Sequence, residues 1–175
     1  MDKDKRFVII NTILTFLVGF LVHNIYHWFP NIITTIFPVN ESLFEHMKLI
    51  YISPIISSII LYSYFYRKGY KINNYLFGLI VSTVFNIIIF YLVYLPLYYA
   101  NGKSLFITLV VYFITIVLSN YLYYLIIKMN NNRKLNYISL LGIIIIGFIL
   151  TYFTYHPLKI DFFKDPEKNI YGIPK

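Results

Sequence analysis

Tyr75-Leu-Phe-Gly-Leu-Ile-Val-Ser-Thr-Val-Phe-Asn-Ile-Ile-Ile-Phe-Tyr-Leu-Val-Tyr-Leu-Pro-Leu-Tyr-Tyr99 runs without a single charged side chain. A helix needs about 20 predominantly apolar residues to cross about 30 Å of hydrocarbon, and this stretch meets that length. Four more long apolar runs flank it: Phe7 to Phe29, Leu43 to Tyr66, Leu105 to Ile127 and Tyr137 to Tyr155. Backbone groups in lipid must pair within their own segment or around a closed barrel, and none of the runs alternates with the period of two that barrel strands show. The sequence therefore predicts an all-α, polytopic membrane protein: a bundle of five transmembrane helices forming a single domain over residues 1–175, with the lipid bilayer as its first partner.

Composition supports this reading. With 59% hydrophobic and 13% charged residues, the chain cannot present the polar surface of a soluble domain. The net charge of +8 is scattered among the loops and forms no basic stripe, so a nucleic-acid partner is excluded. Its placement instead predicts orientation. Lys3, Lys5 and Arg6, then Arg67, Lys68 and Lys71, then Lys128, Arg133 and Lys134 lie on one side, as cytoplasmic loops do. The opposite connections carry only Lys103. This predicts a cell-membrane protein with its N-terminus inside, its C-terminus outside and an extracytoplasmic tail over 158–175. The N-terminal run is too long for a signal peptide and lacks a small-residue cleavage site, so it reads as a retained helix. Absence of cysteine excludes disulfides, thiolate ligands and cysteine nucleophiles. The many tyrosines near segment ends, among them Tyr64, Tyr66, Tyr99, Tyr121 and Tyr123, suit the headgroup interface. Small residues for close helix contact are sparse; Ser53 and Ser57 form one candidate pair.

Polar residues gather where the first, second and fifth runs share an end. His23 and His27, four apart, project from one helix face, a spacing used by helical metal sites and equally by interfacial histidines. Pro38-Val-Asn-Glu-Ser-Leu-Phe-Glu-His-Met-Lys48 then opens the second run. Ser42 and Glu45 fit an S-x-x-E capping box, and the helix dipole favours Glu41 and Glu45 there. Capping explains neither His46 nor Lys48, which the dipole opposes. One reading has Lys48 snorkelling outward while His46 stays neutral and able to ligate. His23, His27, His46 and Glu45 would then form an N/O set for a divalent ion, zinc among the candidates. Glu45 or Glu41 would serve as general base, and His46 could act as acid or base without any metal. Asn40, Ser42, Lys48 and His156 would support these groups from behind.

Asn86 and Asn120 in the third and fourth runs read as interhelical hydrogen-bonding groups, Pro54 as a kink below His46. The aromatic tail is either a frayed end or a lid over the cluster, and its prolines argue against a further helix.

The run Pro38-Val-Asn-Glu-Ser-Leu-Phe-Glu-His-Met-Lys-Leu49, preceded by His23-x-x-x-His-Trp28 and followed by Asp165-Pro-x-x-x-x-Tyr-Gly-Ile173, resembles a family of small membrane proteins from Firmicutes whose function is unknown. The resemblance covers the whole chain and implies no activity. It falls on Asn40, Glu41, Ser42, Glu45, His46 and Lys48.

Three functions fit these residues. The first is a membrane-embedded, metal-dependent hydrolase or transferase acting on a lipid or lipid-linked substrate at the outer leaflet. The second is a transporter or channel for a small solute or metal ion, which needs a polar route through the membrane. The third is a non-catalytic accessory subunit of a membrane complex, in which the motif is only a cap. Oligomeric state is not legible.

Overall fold

The computed structural model describes residues 2–174. Its long helices are α1 (Lys3–Trp28), α2 (Leu43–Arg67), α3 (Tyr75–Asn101), α4 (Leu105–Ile127) and α5 (Arg133–Tyr155), with short 3-10 turns at Ile33–Ile36 and Asp161–Phe163. All five helices are long and apolar enough to cross a membrane, as the apolar runs predict. Two begin before their apolar run does. Asp2 accepts from the Asp4 amide and starts α1, and the Asn132 side chain accepts from the Leu135 amide and starts α5. Capping of this kind carries a helix beyond its hydrophobic part, where hydropathy gives no signal.

α1 packs on α2 and α4, and α3 packs on α4, α5 and α2. α5 is peripheral, burying only Ser139, Leu150 and Thr154. One apolar cluster, including Val22, Ile50, Phe90 and Ile116, fills the bundle toward the His23 end. A second, including Phe7, Leu61, Phe65, Tyr123 and Ile127, fills the opposite end. Between them the helices are joined by polar bonds: Asn11 donates to Asn120 at 2.9 Å, and Thr15 and Ser57 share a hydrogen bond of 2.6 Å. Ser53 and Ser57 are both fully buried, as their spacing suggested.

Close approach depends more on glycine against tyrosine. A Cβ at Gly78 would lie 2.5 Å from the Tyr123 ring, and one at Gly19 would lie 2.9 Å from the Tyr112 hydroxyl. Tyr123 is thus a core residue at 1% exposure, not an interfacial one, whereas Tyr64, Tyr66, Tyr99 and Tyr121 are exposed. A ring pressed onto a glycine leaves no periodic signature in the sequence.

The tail is ordered and folds back on the start of α2. Phe163 stacks on Phe44 with ring centroids 4.3 Å apart, and Phe162 meets Tyr91 at 5.4 Å. The Asp165 carboxylate accepts from the amides of Glu167 and Lys168, and from the Glu41 amide at 3.1 Å across the fold. The Asn40 side chain donates to the Gly172 carbonyl at 2.7 Å. Gly172 has φ +68, and a Cβ there would meet the Thr154 carbonyl oxygen at 2.7 Å. Gly172→Ala should therefore cost about 1–3 kcal/mol through strain and clash. A melting temperature in detergent equal to that of the parent chain would show that the tail is not held in this way.

Acid should release the same clasp. Burial pushes the Asp165 carboxyl up, but the amides of Lys168, Glu41 and Glu167 outweigh it and hold the group below its ordinary value of 3.8. A carboxylate lowered in the folded state stabilises fully above its unfolded value and loses that contribution as pH falls through the folded one. Hydrogen exchange over residues 161–174 is expected to accelerate only below about pH 4.

Candidate functional site

The stretch Pro38 to Lys48 divides its polar groups between two neighbouring sites. Ser42 caps α2, its hydroxyl accepting from the Glu45 amide at 3.2 Å. The reciprocal half of the capping box does not form: the Ser42 amide goes to the Asn40 side chain at 2.8 Å. The Glu45 carboxylate turns elsewhere, accepting from the Val39 amide at 3.1 Å and the Thr154 hydroxyl at 2.9 Å.

Its main partner is Lys48, 2.5 Å away and one helical turn on. The Lys48 ammonium also donates to the Thr35 carbonyl and the Thr154 hydroxyl, both at 2.8 Å. Both side chains are buried, Lys48 at 0% exposure, so it points into the bundle and does not snorkel. Removing two charges from water is costly unless each is paired and fully hydrogen-bonded, and here each is. Glu45 is therefore committed to a structural ion pair joining α2 to α5 and to the Ile33–Ile36 turn. Thr35 and Thr154, its other partners, are ordinary threonines in the sequence with no signal marking them.

One residue further round the helix, about 100° on, His46 faces α1. There it meets His23, with ring centroids 5.5 Å apart. Glu41 completes the group: its carboxylate oxygens lie 3.4 Å from His23 Nε2 and 3.7 Å from His46 Nε2. One ligand-type atom from each of the three lies within 4.8 Å of the others. Ligands around one tetrahedral zinc, at about 2.0–2.1 Å from the ion, sit about 3.3 Å apart. The two histidine–glutamate separations are close to that figure.

The Nδ1 of His46 lies 2.9 Å from the Ser42 carbonyl oxygen. A carbonyl only accepts, so Nδ1 carries the hydrogen, and in the neutral form of the ring Nε2 presents a bare lone pair toward Glu41. A lone pair facing a carboxylate oxygen calls for a positive charge between them, a proton or a metal ion. The donor set thus fits a divalent ion, with the second-sphere hydrogen bond that metal-binding histidines characteristically make. Burial pushes the Glu41 carboxyl up, yet His46 when protonated, the Lys103 ammonium and His23 when protonated hold it below its ordinary value, so it is ionised and acceptor-only at neutral pH.

Lys103, from the α3–α4 turn, lies 3.0 Å from Glu41 and also pairs with Glu167 of the tail. In the sequence it is an isolated loop lysine, and nothing there connects it to Glu41. His27 and His156 stand apart from the group. Both are exposed, His27 beside Tyr26 and His156 over Tyr152 with its amide closing α5. A spacing of four puts His23 and His27 on one face, but only His23 lies deep enough to meet α2. Of the sequence candidates, the structure brings together His23, Glu41 and His46. It places Asn40 and Ser42 behind them and Glu45 with Lys48 in a separate pair.

The three residues lie at the mouth of a cleft of about 470 Å³ between α1, α2, α3 and α4. Its walls are apolar and aromatic, among them Phe16, Leu49, Phe90, Tyr94 and Tyr112, while its polar groups gather at the His23 end with Lys103. Phe20 and Leu105, both lining it, are also exposed on the outside of the bundle. Pro166 of the tail forms part of its rim.

The two charged groupings predict opposite mutational outcomes. Glu45→Ala should cost about 3–5 kcal/mol by stranding Lys48, and Glu45→Leu with Lys48→Met should recover much of it. Glu41→Ala should cost less than about 1 kcal/mol, its partners being partly solvated. Equal melting temperatures for Glu45→Ala and Glu41→Ala would contradict this division.

A model of a family of unknown function, DUF6512, matches residues 1–173. No curated protein and no solved structure matches the chain.

Proposed function

We propose, for a chain that belongs to the DUF6512 family of unknown function and takes no activity from it, that His23, Glu41 and His46 bind a divalent metal ion that acts on a lipid-like substrate. The observation that carries this reading is the placement of a nitrogen- and oxygen-donor cluster at the head of an apolar cleft. A ligand that is polar at one end and a hydrocarbon chain along its length would fill that shape. Three protein ligands leave a coordination position for water or for the substrate's polar group, as catalytic zinc sites do. A metal there would supply an activated water or a polarised phosphoryl or carbonyl oxygen, giving hydrolysis or group transfer.

The residues of the chain have separate tasks in this scheme. His23 and His46 supply neutral nitrogen, and Ser42 fixes the His46 tautomer through its carbonyl. Asp165 holds the Glu41 backbone amide and so its position over the cleft. Lys103 would turn from Glu41 to an anionic headgroup once a metal neutralises that carboxylate. Exposure of Phe20 and Leu105 supports entry of the substrate from the side, out of the bilayer. The positive-inside pattern of the loops supports a location of the cluster at the outer leaflet of the cell membrane. A carrier or channel is less well supported, because Phe7, Leu61, Phe65, Tyr123 and Ile127 close the other end with packed apolar side chains.

Metal analysis of protein purified without a histidine tag is expected to find about one zinc, manganese or iron ion per chain, falling at least tenfold in His46→Ala and in Glu41→Ala. His27→Ala should retain the ion. Equally negligible metal in the parent chain and all three variants would refute the metal reading.

A further inference from the structure

The cleft has a floor, a roof and an open side. Phe16 of α1 and Phe90 of α3 meet Tyr112 of α4 at its floor, with ring centroids 6.0 and 6.4 Å from that of Tyr112. The tail forms the roof. Pro166 stands at the rim, and the flanking Asp165 and Glu167 reach the Glu41 amide and the Lys103 ammonium. Phe20 of α1 and Leu105 of α4, which line the cleft and are also exposed, mark the open side.

Volume limits the number of chains. At about 30 Å³ for each methylene, close to the share of one water molecule, the cleft of about 470 Å³ takes on the order of fifteen carbons. One chain suited to half of a roughly 30 Å hydrocarbon core uses all of that space. A second chain on the same head would have to turn back out past Phe20 and Leu105 into the bilayer.

The polar end limits the charge. Lys103 is the one lysine or arginine lining the cleft, and its ammonium is shared between Glu41, at 3.0 Å, and Glu167. Lys103 and Glu167 are both exposed, and an exposed ion pair adds little stability. Lys103 can therefore exchange Glu167 for the anionic group of a ligand at small cost, an exchange closed to the buried Glu45–Lys48 pair. One ammonium balances one negative charge. Hydrolysis or group transfer also needs an ester bond to break. A fatty-acid carboxylate has the charge and no ester, a monoacylglycerol has the ester and no charge, and a phosphodiester has both.

Resting on the lipid reading above, we propose that the substrate is a phospholipid with a single hydrocarbon chain and a singly charged phosphodiester head, its chain in the cleft and its phosphate on Lys103. Lys103 selects the head, and the volume between Phe16, Phe90 and Tyr112 selects the single chain.

Native mass spectrometry of the full chain released from phosphatidylcholine nanodiscs tests this, with oleoyl lysophosphatidylglycerol, dioleoyl phosphatidylglycerol, oleate or monooleoylglycerol added at equal amounts. The lysophospholipid is expected to bind about tenfold more tightly than each of the other three, as one charge-assisted hydrogen bond or one fitted chain allows. Lys103→Gln, a change at an exposed turn, should erase its margin over monooleoylglycerol. Leu109→Trp, which fills the cleft, should weaken lysophospholipid binding about tenfold with Lys103 intact. Lys103→Gln decides the matter even where Leu109→Trp does not fold. Equal binding by any of the other three lipids overturns the proposal, as does a margin that survives Lys103→Gln or a lysophospholipid that binds Leu109→Trp undiminished. The same spectra weigh any bound metal. Absence of metal refutes the metal reading alone, whereas absence of the lipid preference refutes this one whether or not a metal is bound.

Discussion

The Glu45–Lys48 ion pair fixes the geometry on which the rest of the His23 end depends. A carboxylate and an ammonium within one turn of an apolar helix cannot both remain charged in a dry bundle unless further groups complete their hydrogen bonds. The fold supplies them from remote parts of the chain: Thr154 of α5, the carbonyl of Thr35 and the amide of Val39. Satisfying one pair thereby sets the depth of α5, the path of the α1–α2 connection and the rotation of α2 about its axis. With that rotation fixed, His46 must face α1. The candidate site is thus set in place by charges that take no part in it.

The tail performs the same service for Glu41. Asp165 gathers three amides, two from its own turn and one from Glu41. Phe162 and Phe163 anchor that turn on Tyr91 and Phe44. The carboxylate nearest both histidines is consequently held from its backbone side, leaving both of its oxygens for His23, His46 and Lys103. A loop residue gains in this way the fixed position that a helix residue has automatically.

Much of this was legible in the sequence, and what was not has a physical reason. Five apolar runs gave five helices because length and hydropathy alone decide a crossing helix. The polar stretch from Asn40 to Lys48 stood out because polar groups beside hydrocarbon are costly and need an explanation. The division of labour inside it was not legible. Glu45 and Glu41 are equivalent by residue type and by helix dipole. What separates them is Thr154, Thr35 and Lys103, side chains or carbonyls brought near by packing and carrying no pattern of their own. The tail was undecided for a similar reason: Asp165 and Gly172 read as loop residues until Glu41 and Thr154 are seen beside them. Lys48 shows the limit of a general rule. Long cations near helix ends usually reach for water, but an acid one turn away with spare acceptors nearby outweighs that tendency.

Buried polar groups in the bundle sort by whether a partner is present. Around Glu45 and Lys48 every donor and acceptor is matched, which is the condition for a rigid, purely structural element. At the cleft the match is looser: two histidines and Lys103 converge on one ionised glutamate, and His46 Nε2 stands 3.7 Å from its oxygen, beyond a normal hydrogen bond. In a small central cavity the Thr83 hydroxyl and the Asn86 side-chain oxygen have no partner among the described residues. Because net charge is expensive at depth, the charged side chains of the five helices gather near the helix ends, and the unpartnered groups between them are neutral.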